Sequence, residues 1–425
     1  RRKSANGMTK ARTGNRSQSD LSRPAANPAF WALDRRVTFL NHGSFGACPR
    51  RVLQHQQRLR ERLERQPIQF FVREFEALWD DARRSLARFV GSAADDLVFV
   101  PNATAGVNTV LRSLRFGRGD ELLVTDQEYN ACRNALDYVA GRSGARVVVV
   151  ALPFPVANEE MVVDKVLAKV SRRTRLLLID HVTSQTGLVL PVGRLVPLLR
   201  QRGDLVLIDG AHAPGMLPLN LRKLRADFYT GNCHKWICAP KGAAFLHVRP
   251  EHQTQIRPLI ISHGANSPRS DRSRFLIEFS WTGTADPTAW LSVPEALRCV
   301  GSLLPGGWPA VMRRNRQLAL AGRDLLCEAL QVPPPCPDSM IGSLAAVPLP
   351  DGGTDKVPSS PLYVDPLQDW LWDNHRIEVP VIPWPAPPKR LLRISTQLYN
   401  SLPQVRELTK AVTAAISEPS PHSRT

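Results

Sequence analysis

Leu205-Val206-Leu207-Ile208-Asp209-Gly210-Ala211-His212 is an apolar run of strand length that ends on an acid and breaks at a glycine. Aliphatic residues without polar alternation are what a strand covered on both faces requires. The same unit recurs on either side, at Leu97–Val100, Glu121–Thr125, Ala145–Val150, Arg175–Asp180, Phe228–Thr230 and Ala243–Val248. Helical patterns near 104–115, 131–141, 161–170 and 192–202 lie between several of these runs. Strands alternating with helical crossovers predict parallel pairing in a three-layer α/β domain. Val147-Val148-Val149-Val150 and Leu176-Leu177-Leu178-Ile179 are both expected to be buried on two sides.

Beyond residue 300 the pattern changes. Helices are predicted near 308–330 and 403–417, around a proline-rich stretch, Val379–Pro388, and a loop-like segment from Pro350 to Pro361. The chain therefore divides into a basic tail over 1–28, a large domain over 29–300, a smaller α+β domain over 301–417 and a short tail over 418–425. No internal repeat is present.

The composition is that of an ordinary globular chain of 425 residues, 43% hydrophobic and 22% charged. No apolar run approaches the length of a membrane span, so no membrane association is expected. The net charge of +18 raises the question of nucleic acid. Part of the excess is local, because Arg1, Arg2, Lys3, Lys10, Arg12, Arg16 and Arg23 face a single acid, Asp20. This tail is polar and aperiodic, reads as disordered, and lacks the apolar core of a secretory signal. The remaining charge is mostly arginine on helical segments without interleaved aromatics, which points to a solvated surface and not to nucleic acid. Seven cysteines without a C-x-x-C pair indicate neither a disulfide framework nor a zinc site, and suggest a reducing cytoplasm.

Four places carry residues suited to chemistry, and most sit where strands end, the ligand-binding edge of an open α/β sheet. Asn102-Ala103-Thr104-Ala105-Gly106 opens a helix after a strand; free N–H groups there suit a phosphate, although Thr104 serves equally well as a plain cap. Asp209 ends a buried strand, which is costly unless a cation or strong donors meet it; the alternative is a capping aspartate. Gly231-Asn232-Cys233-His234-Lys235-Trp236 sets a lysine in apolar and aromatic surroundings, where desolvation favours the neutral amine that imine formation requires. Leu392-Arg393-Ile394-Ser395-Thr396-Gln397-Leu398-Tyr399-Asn400 offers Arg393 for a bidentate carboxylate, or one more structural arginine.

Taken together, and from about residue 35 to 415, these segments resemble the class V aminotransferase family of fold-type I pyridoxal-5′-phosphate (PLP) enzymes. Leu40-Asn41-His42-Gly43-Ser44-Phe45-Gly46, Asp126-Gln127-Glu128-Tyr129-Asn130-Ala131 and Trp281-Thr282-Gly283-Thr284-Ala285-Asp286 are similar to segments of isopenicillin N epimerase-like proteins within it. The resemblance implies that Lys235 forms the Schiff base with PLP and shuttles the Cα proton, and that Asp209 keeps the pyridine nitrogen protonated. Tyr129 would cover the ring, Thr104, Ala105 and His234 would hold the phosphate, and Ser184 or Gln185, with His212 nearby, would face the phenolic oxygen. Arg393 would bind the carboxylate of an amino-acid substrate, with Asn41 and His42 lining that pocket. The active unit would be a homodimer, Thr284 reaching the phosphate of the other subunit. The reaction implied is epimerisation or racemisation at Cα, with a C–S (β-)lyase or an aminotransferase as the alternative. Residues 376–393 hold no cysteine, which argues against cysteine desulfurase chemistry. Cys132 and Cys327 fall on helical patterns and read as structural, with a chemical role for Cys233 less expected than a packing one.

Overall fold

The computed structural model describes residues 21–353 and 365–417. The first strand, β1 (Thr38–Phe39), is short and pairs in parallel with β10 (Ile377–Glu378), stitching the amino-terminal segment to the last third of the chain. Seven strands form the central sheet: β2 (Leu97–Val100), β3 (Glu121–Thr125), β4 (Arg146–Val150), β5 (Thr174–Asp180), β6 (Leu205–Asp209), β7 (Phe228–Asn232) and β8 (Ala244–Val248). Their order is β2-β8-β7-β6-β5-β3-β4, and every predicted strand is found within two residues of its expected bounds. Leu176, Leu177, Leu178 and Ile179 of β5 are wholly buried, as a strand between two helical layers must be.

Two expectations require correction. The sheet is mixed, because β8 runs antiparallel to both its neighbours. The link from β7 to β8, residues 233–243, contains no helix, whereas a parallel return needs a longer, usually helical, crossover. β4, read as covered on both faces, is one of the sheet's two edge strands, and its Val149 is 37% exposed. Apolar composition does not by itself distinguish a central strand from an edge.

The register sets the functional edge. Asp180 of β5 lies beside Asp209 of β6, which lies beside Thr230 of β7, so two acids and a hydroxyl end adjacent strands at one level. The helix Ala103–Ser113 rises from the end of β2 along the same edge and packs on β7.

The last third carries a three-stranded antiparallel sheet, β11 (Val381–Pro383), β12 (Arg390–Ser395) and β9 (Leu344–Leu349), with the helices Gly307–Leu330 and Leu402–Ser417 packed together against it. Residues 21–28, assigned from composition to the tail, join this part. Leu21 is buried with Leu318 and Leu402, and the Ala25 and Ala26 N–H groups donate to the Leu398 carbonyl. Leu21 is the apolar anchor that the charge count over 1–23 obscured. Residues 1–20 and 418–425, and most of the Pro350–Pro361 loop, lie outside the described residues. No helix among the described residues is long and apolar enough to cross a membrane.

Candidate active site

Lys235 stands three residues beyond β7, in a turn pressed against the amino-terminal segment. At Gly46, φ is +72°, and a Cβ there would come within 2.0 Å of the His234 carbonyl and 2.9 Å of the Lys235 Cα. Only glycine permits that approach. The Lys235 amine is 2.9 Å from His212 Nε2, and His212 Nδ1 accepts a long 3.4 Å bond from the Trp236 indole. An indole N–H only donates, so Nδ1 is unprotonated and the neutral ring carries its proton on Nε2, facing the amine. That tautomer needs an acceptor, and a neutral lysine is one. Burial, reinforced by the Arg393 charge, brings the Lys235 pKa down to about 8, while burial holds His212 well below the usual histidine range. The lysine is thus prepared as a nucleophile and base near neutrality.

Asp209 is 1% exposed and accepts from the Ala211 N–H at 2.9 Å and from the Cys132 thiol at 3.1 Å. Burial raises its pKa, and those two donors oppose the rise. Tyr129, the residue before the helix Asn130–Ser143, is 43% exposed with its ring accessible at this end.

Arg393 is delivered by β12 and is 3% exposed. It donates to the Ser184 carbonyl, to Ser44 Oγ at 3.0 Å and, at 3.5 Å, to Asn41 Oδ1, while its Nε has no partner. Every acceptor is neutral. Burial lowers its pKa to about 10, and no carboxylate offsets the charge. Gln185 Oε1 and Ser395 Oγ are also buried without partners, so this corner holds unsatisfied polar groups of the kind a ligand completes. Asn41 is anchored the other way, donating to Glu378 Oε1 at 3.1 Å.

At the helix Ala103–Ser113 the cap is Asn102, not Thr104. Asn102 Oδ1 takes the Ala105 N–H at 2.8 Å, and Asn232 Oδ1 takes that of Ala103 at 2.9 Å. Ala105, expected to donate to a phosphate, has its N–H engaged; the Thr104 carbonyl takes the Asn108 amide at 3.0 Å, whereas its hydroxyl has no hydrogen-bond partner among the described residues. His234 faces the Ala243 carbonyl through Nδ1 at 3.2 Å, and burial brings its pKa to about 4, so it is a neutral donor at physiological pH.

The expectation for His42 is corrected. It does not line a pocket: the ring is wholly buried, its Nδ1 2.8 Å from the Tyr399 hydroxyl and its Nε2 3.1 Å from the Lys235 carbonyl. It braces the lysine from behind. Thr284 lies on an exposed turn and is not brought to Lys235 within the chain. Cys132, read as structural, instead supplies a donor to Asp209. Sequence reasoning also passed over Glu128 and Asp180, both buried beside Asp209, although an acid ending an apolar strand was the very signal used for Asp209. A cavity of about 880 Å³ opens at the opposite edge, near the first residues of β5 and β6; its Arg175 and Arg257 are already paired with Asp120 and Glu278.

Residues 46–326 match the family model for aminotransferase class-V. The chain is 37% identical to isopenicillin N epimerase of Amycolatopsis lactamdurans, over 90% of this chain and 96% of the epimerase. It is 32% identical to a probable chloroplastic L-cysteine desulfhydrase of Arabidopsis thaliana, over 89% of this chain and 83% of that protein. Among solved structures, the cysteine desulfurase CsdA of Escherichia coli superposes with a TM-score of 0.73 at 21% identity, over 92% of this chain and 97% of the other. The chain belongs to the aminotransferase class-V family of pyridoxal-5′-phosphate-dependent enzymes.

Proposed function

We propose that this enzyme removes the Cα proton of an amino acid, with epimerisation at that centre as the outcome. The observation that carries the reading is Arg393, a buried guanidinium with only neutral acceptors, in the field of the Lys235 amine. An uncompensated buried charge is costly, and a substrate carboxylate removes the cost.

The residues fit the cofactor by the same criterion. A buried acid, a half-buried, desolvated lysine and a helix start with an unpaired Thr104 hydroxyl match a ring nitrogen, an aldehyde and a phosphate. When bound, PLP supplies an electron sink for the carbanion left by Cα–H cleavage. In this reading Asp209 holds a proton at the ring nitrogen, and Tyr129 covers the ring. Ser184 or Gln185, with His212, faces the phenolic oxygen; Thr104 and His234, with Ala105 behind them, hold the phosphate. Lys235 would receive the Cα proton, and Arg393, with Asn41, would fix the carboxylate and with it the orientation of the Cα–H bond.

A second reading, β-elimination, is favoured by the desulfhydrase relative and begins with the same proton transfer. Persulfide chemistry has no support, since all seven cysteines are buried. Incubation with a panel of amino acids in D₂O distinguishes the readings. An epimerase exchanges Cα–H for deuterium with inversion and releases no ammonia; release of ammonia and a keto acid establishes the second reading, and no exchange with any substrate overturns both. In the same assay Arg393→Lys should lower kcat/KM by about one to two orders of magnitude, the equivalent of roughly 1.5–3 kcal/mol for a charge-assisted bond. Both kcat and KM should change, because a lysine keeps the charge but loses the angle. Wild-type kinetics would place the carboxylate elsewhere.

The proposal includes a homodimer, supported by the exposed Thr284 on a turn that carries Trp281. Mixing inactive Lys235→Ala chains with Thr284→Ala chains should restore part of the activity. Heterodimers that form yet stay inactive would show the site to be built within one chain.

A further inference from the structure

Asp209 is not alone behind the site. Glu128, from the turn after β3, is 5% exposed, and Asp180, at the end of β5, is 3% exposed. Both are within the field of Asp209, and their carboxyls lie within hydrogen-bonding reach of each other. The three acids differ in their donors. Asp209 has the Cys132 thiol and the Ala211 N–H. The Tyr129 N–H faces the Glu128 carboxyl without closing a hydrogen bond to either oxygen, and Asp180, with only its own N–H nearby, has no hydrogen bond at Oδ2. Two ionised carboxylates cannot bond to each other; one proton between them joins one oxygen of each and removes one of the two buried charges.

We infer that Glu128 and Asp180 form a proton-sharing pair and act as positioning residues for Asp209: by holding the proton at neutral pH, they leave Asp209 as the ionised acid that faces the cofactor ring. The donors decide which acid is charged. An anion is stabilised where N–H and S–H groups point at it, and a proton settles where none do. Burial first, and then the neighbouring carboxylates, push Glu128 and Asp180 well above the usual carboxylate range, in accord with this assignment. The other titratable groups facing the pair are Cys132, whose thiol burial holds well above its usual value, and the Lys235 amine across the site. Neither supplies the missing donor: the thiol is committed to Asp209, and the amine, beside His212, makes no hydrogen bond to Glu128 or Asp180.

The inference rests on Asp209 serving the ring nitrogen but is tested without turnover, so its failure is separable from that of the proposed reaction. In cofactor-free protein near neutral pH, infrared difference spectroscopy should show the carbonyl stretch of a protonated carboxyl. Asp180→Asn should abolish the band, because the amide donates to Glu128 and lets it ionise. Glu128→Gln should do the same, and it keeps the test available if the first variant does not fold. Asp209→Asn should retain the band. Its absence from the native protein, or its loss in Asp209→Asn, would overturn the assignment.

Melting curves give an independent reading. A carboxyl whose folded pKa lies above the unfolded value of about 4 costs stability as pH rises through that range. The native protein should therefore lose ground to Asp180→Asn by about 1–3 °C in Tm between about pH 5 and about pH 8. His181 and His212, buried nearby, titrate in both proteins and cancel in the difference. A constant gap across that range would refute the shared proton.

Discussion

Lys235→Ala should give a folded protein that no longer carries covalently attached cofactor and has lost at least about 10²–10⁴-fold of its activity, the contribution of a positioned base alone. The fold is expected to survive because the backbone of the turn is held without the side chain. His42 bonds the Lys235 carbonyl, and Gly46 packs on the main chain. Removing a half-buried amine also relieves a desolvation cost, so Tm should hold or rise. Borohydride reduction and peptide mapping should find the cofactor mass on Lys235 in the native protein and on no lysine in the variant. Cofactor on another lysine would remove Lys235 from the central role. The same residue predicts a pH dependence with a definite sign. Its pKa of about 8 means that the nucleophilic, neutral form grows as pH rises through that value. Capture of PLP by the apo-protein should therefore accelerate from about pH 6.5 and level off above about pH 9. A midpoint near the ordinary lysine value of about 10.4 would show that the amine is not desolvated.

Much of this was legible in sequence because the informative residues are tied to local punctuation. An apolar run that stops on Asp209, or a strand followed by Lys235, places a side chain at the sheet edge whatever the rest of the chain does. The strand boundaries followed for the same reason, since each short apolar run is bounded by charged or turn residues, although β4 shows that the run alone does not tell an edge from the middle of the sheet. What was not legible depends on partners distant in the chain. The reversal of β8 follows from the short return after β7, not from its own residues. His42 sits in a glycine-rich motif beside the site, yet whether it faces the pocket or Tyr399 is decided 357 residues later. Cys132 follows helical periodicity, and nothing in that pattern tells a packing thiol from one that donates to a carboxylate on a neighbouring strand. Glu128 and Asp180 were visible one at a time; the parallel register that puts Asp180 level with Asp209 makes them a group.

That register bears on the second large effect. Asp209→Asn should bind PLP at close to native stoichiometry and still lose activity by about two to four orders of magnitude. The linkage to Lys235 and the phosphate contacts do not involve Asp209, so attachment is expected to remain. What fails is the charge balance. An amide oxygen accepts a hydrogen bond but carries no charge, and removing one partner of a buried ion pair costs about 3–5 kcal/mol, which converts to that loss when it is felt in the transition state. Substitution also reverses a local polarity. Asp209 accepts from two donors, the Cys132 thiol and the Ala211 N–H, whereas asparagine has one oxygen for both. With the oxygen turned to Ala211, the amide N–H₂ faces the sulfur, which must change from donor to weak acceptor. Neither Glu128 nor Asp180 compensates by taking over the ring nitrogen, because neither has the pair of hydrogen bonds that stabilises an anion at Asp209. Restoring the negative charge with Asp209→Glu should recover part of the loss even though the longer side chain is crowded by β5 and β7. Near-native turnover in Asp209→Asn, with the cofactor shown to be attached, would mean that the ring nitrogen is not protonated during the reaction and that the buried acid serves the fold alone.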